Sequence, residues 1–145
     1  MNSFNIGFFV ILLFVGSVIS SKDPVKHAEC LEKNKLSEEE FSTILKAAMA
    51  DSPDIDERMK CYTHCMLESM GHLDDNGKLD LSTLDVEDDG MTEDDIKIAE
   101  KCKDEYEGVE EKCEYSYMVS TCVAKAMKLK AIEKMESDGV QVEEE

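Results

Sequence analysis

The chain lacks the motifs from which redox, metal and nucleophilic sites are usually built. No CxxC pair occurs, which removes the common thiol–disulfide redox arrangement. No nucleophile motif is present either. A helical, disulfide-rich secreted phospholipase would need a His–Asp pair and a glycine-rich calcium loop. Here His64 is followed by Cys65, and that loop is missing. Two acidic turns, "DDNGKLD" and "DVEDDG", resemble calcium loops. With Gly77 at the sixth loop position the twelfth is Thr83, and with Gly90 there it is Ile96. Neither supplies the bidentate glutamate that such a loop requires, so both read as acidic turns. The expectation is a protein that is not an enzyme and uses no cofactor and no metal.

Basic side chains are also scarce. Lys and Arg number 16 against 34 Asp and Glu, a formal net charge of −18. Such a surface repels nucleic acid and anionic membranes, so neither is expected as a partner. Solubility at high concentration is the simplest use of the acid. Aromatics are few: beyond residue 20 there are Phe41, Tyr62, Tyr106, Tyr115 and Tyr117.

At the N-terminus, Ile6 to Val15 form an apolar run interrupted only by Gly7. This falls short of the roughly 20 residues a membrane span needs. Val18 and Ser20 suit the small-residue cleavage rule, so residues 1–20 read as a secretory signal peptide cut after Ser20. The preceding MNSFN has no Lys or Arg, and only the terminal amino group supplies its positive charge. Residues 21–145 are then one domain, large enough for a modest core.

Six cysteines in a small secreted chain imply three disulfides, and the count alone allows 15 pairings. In "CYTHC", Cys61 and Cys65 cannot pair with each other if they share a helix. Residues four apart hold Cβ atoms about 5–6 Å apart, and a disulfide wants about 3.8 Å. Zinc would need two more soft ligands, and an oxidising compartment favours disulfides.

Beyond the signal, the sequence reads as helix throughout. Pro24 to Leu31 suit a short first helix carrying Cys30. Ser37 and Glu40 make a capping box, followed by Phe41, Ile44, Leu45, Ala48 and Met49 at helical spacing over about 38–50. Pro53 suits the first turn of a third helix. Ile55, Met59, Tyr62, Met66, Met70 and Leu73 share one face of it, which leaves His64 pointing to water. His27 and His72 lie near helix ends, where structural roles outweigh pH sensing. Residues 78–86, with Leu79, Leu81 and Leu84, read as a short amphipathic fourth helix. Thr92 caps a fifth, whose inner face carries Ile96, Ala99, Cys102 and Tyr106. In the last helix, about 111–136, the stretch "YSYMVSTCVA" is uncharged in a chain that is 34% charged. It should be buried on most sides, with Cys113 and Cys122 tied to different neighbours. The eight methionines beyond residue 20 suit either ordinary core or the walls of a pocket for flexible apolar ligands.

The spacing Cys30-x30-Cys61-x3-Cys65-x36-Cys102-x10-Cys113-x8-Cys122 resembles that of the insect odorant-binding proteins, the pheromone and general odorant-binding group. The x3 and x8 gaps are its most specific parts, and the resemblance covers nearly all of residues 21–145. It implies an all-α fold of six short helices around an internal apolar cavity, stapled by three disulfides. The implied pairs are Cys30–Cys65, Cys61–Cys113 and Cys102–Cys122. It further implies a monomer or weak homodimer secreted into extracellular fluid, such as sensillar lymph. A small hydrophobic ligand is the implied partner, with an odorant receptor as a second one. Phe41, Met59, Met66, Tyr117, Met118 and Thr121 are the ligand-contact candidates, with the Tyr117 and Thr121 hydroxyls fixing a polar end. Two features depart from the family. Aromatics are sparse, which argues against strongly aromatic ligands, and 23 residues follow Cys122. Of that extension, about 137–145 reads as a frayed acidic tail, with Val140 and Val142 able to cover a cavity. The rival reading is a disulfide-stabilised secreted helical interaction protein with a solid core.

Overall fold

The computed structural model describes residues 24–87 and 90–139. The expected signal peptide, and Val140 and Val142 of the expected tail, lie outside the described residues. The fold is all-α as expected. Helices α1 (Pro24–Lys33), α2 (Glu38–Met49), α3 (Glu57–Ser69), α4 (Glu93–Glu105) and α5 (Lys112–Ser137) follow one another along the chain, with a longer connection over residues 70–92 between α3 and α4. Among the described residues no helix is long and apolar enough to cross a membrane.

The starts of α2 to α5 are each set by a side chain that accepts from free N–H groups of the first turn. The Ser37 hydroxyl accepts from the Glu40 amide, and the Glu40 carboxylate accepts from the Ser37 amide. Thr92 and Asp95 repeat that box on α4. Glu111 accepts from the amides of Cys113 and Glu114 at the head of α5. For α3 the cap is Asp56, which accepts from the Arg58 amide and from its guanidinium. Pro53 therefore does not open α3, as the sequence suggested, and Ile55 precedes the helix.

Five helices are described, not six. Residues 78–86 give only a single 3-10 turn, Leu81–Thr83. Asp80 accepts from both the amide and the hydroxyl of Ser82, and the Thr83 hydroxyl donates to the Asp80 carbonyl. These local side-chain bonds compete with helix propagation. Upstream, Gly71 at φ +76° ends α3, and Gly77 at φ +75° reverses the chain so that Leu73 and Leu79 form an isolated antiparallel bridge.

The core is built on both sides of α3. Six consecutive residues, Tyr62 to Leu67, are buried. Toward α1 and α2, Tyr62, Met59 and Met66 pack with Leu31 and Leu36. Burying a side chain the size of Met59 contributes about 1.5–3 kcal/mol. Against the opposite side lies α5, whose pairing with α3 is the most extensive among the described helices. A second cluster joins Tyr115 and Val119 of α5 to Leu79, Ala99 and Cys102. The Tyr115 hydroxyl accepts from the Leu79 amide at 3.0 Å, and Lys78 sits 4.1 Å from its ring centre while donating to the Val109 carbonyl. No residue from Tyr115 to Ala124 is fully exposed, in keeping with its lack of charge.

That packing corrects the placement of His64. It is buried, at 8% exposure, because α5 covers the side of α3 that a single-stripe reading assigns to water. Its Nδ1 lies 2.9 Å from Ser116 Oγ, and its Nε2 lies 3.3 Å from Glu68. A like arrangement links α1 to α3. His27 Nδ1 lies 2.5 Å from the Tyr62 hydroxyl, and Nε2 lies 3.0 Å from Glu38. Burial pushes the Tyr62 phenol well up, so it keeps its proton and donates to Nδ1. Phe41 closes this group edge-on to both rings.

Three disulfides staple the helices: Cys30–Cys65 joins α1 to α3, Cys61–Cys113 joins α3 to α5, and Cys102–Cys122 joins α4 to α5. These are the pairs that the resemblance implies. Peptide mapping without reduction is expected to recover all three. Replacing Cys61 and Cys113 together by Ala, which opens a loop of sequence separation 52, should cost about 2–4 kcal/mol in urea unfolding.

The caps also set the response to acid. Burial opposes ionisation of Asp95, yet the Thr92 amide, Lys130 at 3.1 Å and the Thr92 hydroxyl together hold its pKa below the ordinary 3.8. Asp56 is lowered by the Arg58 side chain and amide, and Glu111 by the Glu114 and Cys113 amides. A carboxylate whose folded pKa is depressed contributes stability above its unfolded pKa, and that contribution is lost as pH falls through the folded value. Thermal unfolding should therefore give a Tm that holds from neutral pH down to about 5 and falls steadily below about 4. Asp95→Ala should reduce stability at neutral pH by about 1–2 kcal/mol in urea unfolding.

Candidate ligand cleft

Where α2 ends, the chain does not close tightly onto α5. Asp51 takes φ +57°, a left-handed conformation that Asp tolerates better than most residues, and turns the chain out of α2. Residues 51–55 then run past the first turn of α3 and the first half of α5. Between them lies a half-open cleft of about 410 Å³. Ala48, Pro53 and Ile55 supply apolar surface on one wall, and Met118 and Thr121 of α5 face them. Tyr106, at the end of α4, and Tyr117 of α5 add aromatic surface. The volume lies in the range of small-molecule sites, roughly 300–1,000 Å³.

Charge enters this lining only in pairs. Lys60 of α3 donates to Glu114 of α5 at 2.6 Å and to Glu57 at 3.3 Å. Its side chain is only 15% exposed, and hydrogen bonding to Glu114 raises its pKa. Lys125 of α5 reaches across to Asp51 at 2.7 Å, which raises the lysine and lowers the aspartate. The Tyr117 ring lies between them, 5.9 Å from Lys60 Nζ. Burial, opposed by Lys125 and Lys60, raises the Tyr117 phenol, so its hydroxyl is a donor at neutral pH. Among the described residues no protein group hydrogen-bonds that hydroxyl.

Tyr117, Met118 and Thr121 are the sequence-derived candidates that line the cleft. Thr121 is differently engaged from what the sequence suggested. Its hydroxyl donates to the Tyr117 and Met118 carbonyls, so its proton is committed to its own helix. Phe41, Met59 and Met66 lie elsewhere, in the cluster between α1, α2 and α3, with Met59 and Met66 each 3% exposed. Reasoning from sequence missed Ile55, whose place before α3 depends on the Asp56 cap, and Lys60, whose partner is 54 residues away. Ala48 and Tyr106 carried a signal, since both fall on the apolar faces of their helices.

Nothing in the cleft suggests a metal. Among the described residues no group of three or more His, Cys, Asp or Glu side chains is placed to hold one. All six cysteines are in disulfides.

The chain belongs to the PBP/GOBP family, whose match spans residues 25–126. It is also similar to general odorant-binding protein 57c of Drosophila melanogaster, 30% identical over 102 residues that cover 68% of each chain. No solved structure matches it. The family match begins at α1 and ends within α5. The later turns of α5 extend beyond it, anchored by Lys130 to Asp95 of α4 at 3.1 Å.

Removing the ammonium between α3 and α5 should be felt as stability. Lys60→Met leaves Glu114 facing the cleft without its partner and should cost about 1–2 kcal/mol in urea unfolding. The double variant Lys60→Met, Glu114→Met should recover part of that loss.

Proposed function

We propose that this protein is a secreted carrier that binds small hydrophobic molecules reversibly and moves them through extracellular fluid without altering them. The observation that carries the reading is the cleft of about 410 Å³ walled by Ala48, Ile55, Met118 and Tyr117, in a chain of the PBP/GOBP family. Odorants, pheromones and similar semiochemicals are the ligand class this reading takes from the family. An odorant receptor is a further partner. The apolar run at residues 6–15 supports removal of residues 1–20 as a signal peptide. A lining in which each charged side chain is met by an opposite one supports binding as its role.

Energetically the carrier needs only burial. A ten-carbon chain gains on the order of 8 kcal/mol at ~0.8 kcal/mol per methylene. Ordering and association costs offset part of this, which places binding in the micromolar range. Such affinity suits a carrier that must also release its load.

The test is displacement of the apolar fluorophore N-phenylnaphthylamine from the parent protein and from Ala48→Phe. The parent should bind with a Kd on the order of micromolar. Filling the cleft wall should weaken binding by about tenfold while changing stability by less than about 1 kcal/mol. If the parent binds no fluorophore, or if Ala48→Phe unfolds the protein as overpacking of a solid core would, the carrier reading fails. The reading as a helical interaction protein would replace it.

A further inference from the structure

We propose that the last turns of α5 form a weak, twofold-symmetric contact with a second copy of this chain. The face concerned continues the stripe of α5 that lines the cleft. Met118, Thr121 and Lys125 face residues 48–55 there, and beyond Lys125 the same stripe runs on largely uncovered. At about 100° per residue, Lys125, Leu129, Ile132 and Glu136 fall within about 60° of one another. Leu129 is 62% exposed, Lys128 and Glu136 are exposed, and Ile132 is half-buried. One exposed leucine by itself means little. The order of charge around it points to the partner.

Along the helix axis, the midpoint between Leu129 and Ile132 is equally far from Lys125 and from Glu136. A second α5 laid antiparallel about that midpoint sets Leu129 against Ile132 of the other copy and Lys125 against its Glu136. The twofold axis makes each contact twice. Lys128 flanks the same position. Hydrogen bonding and charge from Lys125, with the charge of Lys128, lower Asp51, so two ammonium groups share one carboxylate there. Among the described residues neither Lys128 nor Glu136 belongs to an ion pair. Glu136 of the second copy supplies the negative charge that this corner lacks.

A partner of one sign fits this face less well. An anionic membrane would meet Glu133 and Glu136 as well as the lysines, and an acidic peptide would leave Glu136 unmatched. A surface carrying both signs on either side of an apolar centre satisfies it, and the chain itself carries one. Two copies also approach here with least repulsion. Residues 125–134 hold Lys125, Lys128, Lys130 and Lys134 against a single acid, Glu133, in a chain of net charge −18. Charge farther away is screened over about 8 Å at physiological salt. Leu129, Ile132 and Glu136 lie past residue 126, where the family match ends, so the contact belongs to this chain's own extension of α5. About three helical turns from each copy bury less than the roughly 1,200–2,000 Å² of a stable interface. The dimer is therefore weak, with a Kd on the order of 0.1–1 mM.

Sedimentation equilibrium of residues 21–145 at physiological salt tests this, up to about 1 mM protein. The parent should show a monomer–dimer equilibrium. Leu129→Glu should weaken it by about tenfold or more. Lys128→Glu and Glu136→Lys should each weaken it by about threefold to tenfold, and the double variant should recover most of that loss. All three positions are exposed, so circular dichroism should be unchanged throughout. A parent that stays monomeric overturns the proposal, as does a Leu129→Glu variant that associates like the parent. A double variant no better than Glu136→Lys alone overturns the pairing of charges. Two further outcomes assign the face to another occupant and overturn the proposal as well. One is a chain lacking residues 140–145 that dimerises where the full chain does not. The other is a monomeric parent that co-sediments with phosphatidylserine vesicles and loses that binding in Leu129→Glu.

Discussion

One helical turn of α3 organises the molecule. Cys65 ties it to α1 and Cys61, four residues earlier, ties it to α5. These two bonds hold two different helices against one turn of α3, and packing of α1 and α2 on one side and α5 on the other covers both. That is why six successive residues, Tyr62 to Leu67, are buried, and why a polar His64 comes to lie inside. The interior accepts it because each buried polar atom finds a partner. Two histidines, His27 and His64, each join a hydroxyl to a carboxylate across or along helices. An interior imidazole left without such partners would carry a desolvation penalty of about 1–3 kcal/mol.

The cleft follows from what the disulfides leave out. Of the five described helices α2 alone carries no cysteine, and it has no fully buried residue. It is held by its capping box, by the edge of Phe41 against Tyr62 and His27, and by the Asp51–Lys125 pair at its far end. One wall of the cleft is therefore fixed through α3 and α5 by covalent bonds. The other rests on α2 and residues 51–55, where few buried contacts resist local opening. One wall of the cleft is thus rigid and the other compliant.

Much of the scaffold was legible in the sequence because its signals are local. The capping boxes at Ser37 and Thr92, the breaks at Gly71 and Gly77, and the uncharged stretch from Tyr115 to Ala124 each act within a few residues. All appear in the structure near where they were read. The errors were of two kinds. Residues 78–86 have helical spacing, but Asp80, Ser82 and Thr83 capture the backbone locally and leave one 3-10 turn. His64 has a polar flank on its own helix, yet burial is decided by whether another helix covers that flank. Periodicity assigns one inner face, and α3 has two.

The sequence by itself determined the class of fold, the starts of α2 and α4 and, through the cysteine spacing, the family. These depend on side chains that meet their partners within a turn, or on a spacing pattern that survives as a signature. Only the tertiary structure decided which of the apolar side chains are core and which line open space. Met59 and Met118 look alike in the sequence, but one is packed beneath α1 and α2 while the other faces the cleft. The charge balance of that cleft is likewise a tertiary fact. Lys60 meets Glu114 and Lys125 meets Asp51 across gaps of more than fifty residues, because disulfide-fixed helices bring those positions together.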